Sequence, residues 1–156
     1  MSHRTQWIGL AAWVLVSFAP GWIGARWTPG AWYAGLVKPA LTPPGVVFPV
    51  VWTTLYALMG VAAWLVWRRA GFAGAAWPLG LFLAQLVLNG LWSWLFFGAQ
   101  RPWAAFVEVV VLWLLILATT IGFWRRLPAA GALLVPYLVW VGFASWLNLR
   151  IWTLNR

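Results

Sequence analysis

Five long apolar runs, none with a charge at its centre, constrain the fold of this chain more than any other feature of its sequence. They cover about residues 5–25, 46–67, 75–97, 102–124 and 129–149. A helix needs about 20 apolar residues to cross the hydrocarbon core of a bilayer, and a charge near the bilayer centre is costly. Each run therefore predicts one transmembrane helix.

The runs predict helices and not the strands of a barrel, because they are continuously apolar and do not alternate. A helix also satisfies its own backbone hydrogen bonds in lipid. The composition agrees, with 65% hydrophobic and 7% charged residues, whereas soluble domains have roughly a quarter of their residues charged. We predict an all-α integral membrane protein, a single five-transmembrane-helix bundle over residues 1–156.

The connection between the first two runs, residues 26–45, is the only long one. It contains proline and glycine at close intervals, which is typical of irregular structure and not of a span. We expect an ordered, partly helical loop at the membrane interface, with one short helix around residues 31–37. Long ordered loops in compact proteins are commonly lids or binding loops.

Ten basic residues and a single acid give the chain a net charge of +9. The basic residues are scattered between the apolar runs, so they predict anchors to lipid headgroups and not a nucleic-acid interface. Five basic residues fall at each end of a five-helix bundle, and the positive-inside rule leaves the orientation open. The single lysine, with the abundance of alanine and glycine, is typical of a GC-rich bacterial genome and predicts a bacterial membrane.

The sequence has little machinery for enzyme chemistry. It has no cysteine and one histidine, His3, which excludes a thiolate metal site and predicts no metal centre. The patterns GxxxxGK[ST], GxGxxG and HExxH do not occur, and one carboxylate cannot form an acid and base pair. We therefore predict no catalytic residues of the usual kinds and no obligatory cofactor.

Polar and aromatic residues recur at helical spacing within three of the spans, so that each set shares one helix face. Faces that combine indole rings with amides or a phenol predict a cavity for a flat, largely apolar ligand with polar edges; packing between helices is the alternative. The residues are Phe48, Trp52, Tyr56 and Met59 in the second span, Gln85, Asn89, Trp92 and Phe96 in the third, and Tyr137, Trp140, Ala144 and Asn148 in the fifth.

Two further features are open to more than one interpretation. Glu108, about two turns into the fourth span, either faces the cavity and binds protons or ligand amines, or forms a salt bridge with Arg101 or Lys38. Gly80 and Ala84 form a small-xxx-small pattern that allows two helices to approach closely. This stripe predicts either the interface of a homodimer or close packing within one bundle.

Several ordered motifs resemble the tryptophan-rich sensory protein or translocator protein family, which includes the peripheral benzodiazepine receptor of animals. The resemblance covers nearly the whole chain. The motifs that carry it are Lys38-Pro-Ala-Leu-Thr-Pro-Pro-Gly45, Phe48, Val51-Trp-Thr-Thr-Leu-Tyr56, Met59-Gly60, Ala84-Gln-Leu-Val-Leu-Asn89, Trp92-Ser-Trp-Leu-Phe-Phe-Gly98, Pro136-Tyr-Leu-Val-Trp140, Phe143-Ala-Ser145 and Leu147-Asn148.

The resemblance implies a five-helix bundle, commonly dimeric, whose first loop covers a pocket for protoporphyrin and related tetrapyrroles. Animal members also bind cholesterol and synthetic drugs. Some bacterial relatives promote light-dependent breakdown of bound porphyrin, with tryptophans that match Trp52 and Trp140. The pocket residues that the motifs imply are Trp52, Asn89, Trp92, Tyr137, Trp140, Ala144 and Leu147.

Two positions depart from the family pattern. Ala40-Leu41 stands where the family usually has a tryptophan in the first loop, so an aromatic contact from the loop to the ligand is missing. Leu149 replaces the tyrosine of a proposed C-terminal cholesterol motif, and we expect poor sterol binding by that route. Together with the three aromatic helix faces, the resemblance implies a membrane receptor or sensor that binds porphyrins and regulates their level or transport. The alternatives are a small-molecule or tetrapyrrole transporter coupled through Glu108, and light-dependent porphyrin degradation.

Overall fold

The computed structural model describes residues 1–156, and all of its regular structure is helical. Five of its helices are long and apolar enough to cross a membrane, so the chain is a multi-pass integral membrane protein, as the sequence predicts. The elements are α1 (His3–Gly24), α2 (Ala31–Ala34), α3 (Val47–Gly74), α4 (Ala76–Ser93, continued by a π-helical turn over Trp94–Gly98), α5 (Pro102–Arg126) and α6 (Pro128–Leu154).

The five long helices form a closed ring in the order α1, α3, α6, α5, α4, and α4 packs back on α1. Large side chains fill the centre of this ring, among them Met59, Phe82, Ile116 and Phe123, which are almost completely buried. The outer faces of the helices are apolar as well, with Val87 and Val139 among the exposed side chains. Apolar surface on both sides of each helix is expected where lipid and not water surrounds the bundle.

Glycines let α1 and α3 approach closely at three levels. The ring of Trp67 lies against Gly9, and the ring of Tyr56 lies against Gly21. At the level between them the pattern reverses, because Gly60 of α3 faces the backbone of Val14 in α1. A Cβ atom on Gly60 would lie 2.6 Å from the Val14 Cα. The contact between the two backbones therefore depends on a residue without a side chain.

The helices extend beyond the predicted spans because charge limits the membrane-crossing segment and not the helix itself. The second span was predicted to end at residue 67, but α3 continues through Arg68 and Arg69 and has a break at Gly71, where φ is +65°. The Arg68 guanidinium lies 4.5 Å from the centre of the Trp64 ring. This cation–π contact packs the charge against the ring of the residue one turn earlier on the same helix.

The first loop contains the predicted short helix, but the helix is shorter than expected. It covers only Ala31–Ala34, and the turn after it is closed by the Leu36 N–H, which donates to the Tyr33 carbonyl at 3.2 Å. After this turn the loop is held by Asn155 at the C-terminal end of α6. The Val37 N–H donates to Asn155 Oδ1 at 2.8 Å, and Asn155 Nδ2 donates to the Val37 carbonyl at 2.8 Å. The loop and the C-terminus therefore lie at the same end of the bundle, as an odd number of spans requires.

Gly80 and Ala84 lie on the outer face of α4 and are exposed. A Cβ atom on Gly80 would meet no other atom within 4 Å. The stripe is therefore not used for packing within the bundle, and its role in a homodimer stays a prediction.

Candidate ligand cavity

A cavity of about 640 Å³ lies beneath the first loop. All five long helices contribute to its wall, and its volume is within the range of about 300–1,000 Å³ that is usual for small-molecule sites. The lining residues are Pro20, Gly21, Gly24 and Ala25 of α1 and the segment that follows it, Trp27, Thr28, Pro29, Tyr33, Lys38, Thr42, Pro43 and Gly45 of the loop, Phe48, Pro49, Trp52 and Tyr56 of α3, Asn89, Trp92, Ser93, Phe96 and Phe97 of α4, Val109 and Leu112 of α5, and Trp140, Val141, Ala144, Leu147, Asn148 and Ile151 of α6.

Aromatic rings from three helices form much of the wall. Phe48 of α3 and Trp140 of α6 meet edge to face, with ring centres 5.9 Å apart. Trp92 stacks on Phe96 along α4 at 5.0 Å, which the spacing of four residues on one helix face allows. Such a wall offers π faces and edges to a flat ring system.

The loop covers the cavity through its own aromatic and charged side chains. The Tyr33 ring packs edge to face against Phe96 and Phe97, with centres 6.1 and 5.4 Å apart. Burial raises the pKa of the Tyr33 phenol, so this hydroxyl keeps its proton at neutral pH and remains a hydrogen-bond donor. The Lys38 ammonium lies 4.4 Å from the centre of the Tyr33 ring. The first loop, which covers the cavity, is thus packed against the end of α4 through Tyr33.

A chain of hydrogen bonds joins the cavity to the centre of the bundle. The Tyr56 hydroxyl donates to Asn89 Oδ1 at 2.9 Å, and Asn89 Nδ2 donates to the Tyr137 hydroxyl at 2.7 Å. The Tyr137 hydroxyl donates to Gln85 Oε1 at 2.6 Å, and Gln85 Nε2 lies 3.9 Å from the sulfur of Met59. Every member has a partner, which buried polar groups require. We call these four hydrogen-bonding residues, Tyr56, Asn89, Tyr137 and Gln85, the polar chain.

A second amide fixes the orientation of one wall tryptophan. The indole N–H of Trp92 donates to Asn148 Oδ1 at 2.9 Å, and Asn148 Nδ2 donates to the Pro102 carbonyl at 2.8 Å. Asn148 thereby connects α4, α6 and the first residue of α5. The Trp92 ring is therefore held in place by its stacking on Phe96 and by the hydrogen bond of its N–H to Asn148.

The structure brings the three predicted helix faces together around one space. Three residues of the predicted faces lie behind the wall and not on it: Gln85 and Tyr137 close the polar chain between α4 and α6, and Met59 is buried in the core beside Gln85. Ligand contact by the others stays a prediction. The predicted residues that line the cavity are Phe48, Trp52, Tyr56, Asn89, Trp92, Phe96, Trp140, Ala144, Leu147 and Asn148.

Neither of the two alternatives for Glu108, a salt bridge or a position facing the cavity, holds in the structure. Glu108 is buried, and neither of its carboxylate oxygens has a hydrogen-bond partner. Arg101 is exposed at the bundle surface, and the Lys38 Nζ donates instead to the carbonyl of Leu36 at 3.2 Å. Glu108 does not line the cavity either, although its neighbour Val109 does.

The sequence predicts that the first loop covers the pocket, but it names none of the lining residues of the loop, α1 or α5. Thr28 and Thr42 belong to no helical repeat, so periodicity does not identify them. The length of the loop and the family resemblance predict a lid, but neither shows which of its side chains face inward.

The sequence of this chain is similar to those of known membrane proteins over most of its length. The model of the TspO/MBR family matches residues 10–153. A translocator protein of Ovis aries is 39% identical over 156 aligned residues, which cover 96% of this chain and 92% of the relative. The tryptophan-rich protein TspO of Chlorobaculum tepidum is 42% identical, covering 96% and 98%. A tryptophan-rich sensory protein of Cereibacter sphaeroides is 42% identical, covering 88% and 85%.

Proposed function

The chain belongs to the TspO/MBR family of integral membrane proteins, and from this membership we propose that it is a receptor that binds porphyrins within the bilayer and regulates their level or transport. The observation that carries the proposal is the cavity of about 640 Å³ between aromatic helix faces. Relatives are named as a translocator protein and a sensory protein.

The wall of the cavity suits a planar macrocycle. Trp52, Trp92 and Trp140 stand on three different helices around one space, so a flat guest meets a ring on more than one side. Offset stacking or edge-to-face contact with an aromatic ring contributes about 0.5–1.5 kcal/mol beyond the burial of apolar area. The neutral amides of Asn89 and Asn148 add polar atoms to the apolar wall.

Titration of the purified protein with protoporphyrin IX tests the proposal. We expect saturable quenching of tryptophan fluorescence, because a bound porphyrin lies next to several of the 17 tryptophans. The double variant Trp52→Phe with Trp140→Phe should bind about tenfold more weakly, because two ring contacts are reduced. Trp77→Phe is the matched control, since Trp77 is 77% exposed and does not line the cavity. Quenching that does not saturate, or equal affinities for all three proteins, would contradict porphyrin binding in this cavity.

Light-dependent porphyrin breakdown is a second candidate, because Trp52 and Trp140 both line the cavity. Under illumination in air, and with porphyrin at saturating concentration, we expect the absorbance of the bound porphyrin to decay faster with the wild-type protein than with the double variant. Samples kept in the dark should not change. Equal decay with and without the protein would exclude this activity.

Transport coupled through Glu108 has less support. Glu108 is separated from the cavity, so its carboxyl group does not contact a guest there directly. We therefore place ligand recognition on the aromatic wall and on the loop.

A further inference from the structure

One charged side chain lines the cavity, and no opposite charge accompanies it. Lys38 belongs to the wall, whereas none of the arginines does. The only acidic residue of the chain, Glu108, is also outside the wall. The other polar residues of the wall are threonine, serine, asparagine and tyrosine side chains, which carry no charge at neutral pH. The cavity is therefore apolar and aromatic, with a single positive charge under the loop.

The position of this charge is fixed by contacts with three residues. The Lys38 Nζ donates to the Leu36 carbonyl at 3.2 Å and lies 4.4 Å from the centre of the Tyr33 ring. The backbone immediately before Lys38 is held by the two hydrogen bonds between Val37 and Asn155. An ammonium group has three N–H donors, so two remain after the bond to Leu36.

We propose that Lys38 recognises a carboxylate at the edge of the ligand, so that the cavity selects planar amphipathic acids over neutral molecules of the same shape. This inference rests on the proposed function and names the feature of the ligand that the loop distinguishes. A porphyrin with free propionate groups has both parts, a ring for the aromatic wall and an anionic edge for the ammonium. Charge-assisted hydrogen bonds are shorter and stronger than neutral ones, and the apolar wall lowers the local dielectric constant, which strengthens the attraction.

Two porphyrins that differ only in this edge test the inference. Protoporphyrin IX carries free propionates, and its dimethyl ester carries none. We expect Lys38→Gln to weaken protoporphyrin IX binding about tenfold, the usual effect of one charge-assisted hydrogen bond, and to leave the affinity for the ester within about twofold. Unchanged ester binding also shows that the variant is folded. Lys38→Arg should keep most of the preference for the acid.

Arg26→Gln is the matched control for charge. It removes one positive charge at the same end of the bundle from a residue that is exposed and outside the wall, so both affinities should stay within about twofold. Raising the salt concentration should weaken binding of the acid in the wild-type protein more than binding of the ester.

The outcomes separate this inference from the proposed function. Equal losses of acid and ester affinity in Lys38→Gln, or no loss of either, would overturn the role of Lys38 while leaving porphyrin binding intact. An Arg26→Gln effect as large as that of Lys38→Gln would also overturn it, because the charge of the whole surface would then explain the preference. A wild-type protein that binds neither porphyrin would overturn the proposed function, and this inference with it.

Discussion

Replacing Gly60 by alanine is expected to destabilise the bundle strongly, although it adds only one methyl group. The new Cβ atom would lie 2.6 Å from the Val14 Cα and 3.0 Å from the Val14 nitrogen. Both are backbone atoms, so no change of rotamer relieves the clash, and α1 has to move away from α3. Overpacking of a core typically costs about 1–3 kcal/mol. A clash with backbone that no rotamer relieves belongs at the upper end of this range, above the roughly 1 kcal/mol by which alanine favours a helix over glycine.

The displacement should reach the cavity as well as the core. Tyr56 lies one helical turn before Gly60 on α3, and its ring contacts Gly21 of α1. Both Gly21 and Tyr56 line the cavity. We therefore expect Gly60→Ala to lower the melting temperature in detergent by several degrees and to weaken porphyrin binding. Thermal unfolding followed by tryptophan fluorescence measures the first effect, and the porphyrin titration measures the second.

Gly80→Ala is the control for Gly60→Ala, because it makes the same change in another span. A Cβ atom on Gly80 meets nothing within 4 Å, so the variant should be as stable as the wild-type protein or slightly more stable. If the two variants melted at the same temperature, the contact between α1 and α3 would not depend on Gly60. A Gly80→Ala protein that changed only its oligomeric state would assign the outer stripe of α4 to a homodimer.

The membrane-crossing helices could be predicted from the sequence because the relevant physics is local. Charges such as Arg101 and the pair Arg125 and Arg126 interrupt apolar runs, and the cost of placing a charge in lipid fixes where each span ends. The order of helices around the ring could not be predicted, because it depends on how surfaces fit. Gly60 illustrates this, because it is needed only where α3 meets the backbone of Val14 in α1. The two residues are far apart in sequence.

The candidate site was only partly predictable for the same reason. Helical periodicity placed Asn89 and Trp92 on one face correctly, because side chains three residues apart on a helix share a face. It could not show that Tyr137 reaches Gln85 behind the wall, because a hydrogen bond between helices depends on their distance and rotation. Both alternatives for Glu108 fail for a similar reason, since nearness in sequence to Arg101 or to the cavity residues does not bring a buried carboxyl group to an exposed guanidinium or to the wall.

Replacing Tyr137 by phenylalanine is expected to cost more stability than any other removal of a single hydroxyl from the polar chain. The Tyr137 hydroxyl accepts a hydrogen bond from Asn89 and donates one to Gln85, so its loss leaves a donor and an acceptor unpaired in a buried site. Each unpaired buried group costs about 1–3 kcal/mol, although hydrogen bonds between membrane helices are often worth less, roughly 0.6–2 kcal/mol. We expect a loss of about 2 kcal/mol, measured by denaturant unfolding in detergent.

Tyr56→Phe is the comparison within the same chain, because the Tyr56 hydroxyl makes one hydrogen bond, to Asn89 Oδ1. It should cost about half as much as Tyr137→Phe. The double variant should lose less stability than the sum of the two single losses, because both hydroxyls hold the same Asn89 amide, and once one partner is gone the amide can turn toward the cavity. Additive losses would instead mean that Asn89 keeps its position with one partner, and that the other helix contacts, not the polar chain, set the orientation of this amide at the cavity wall.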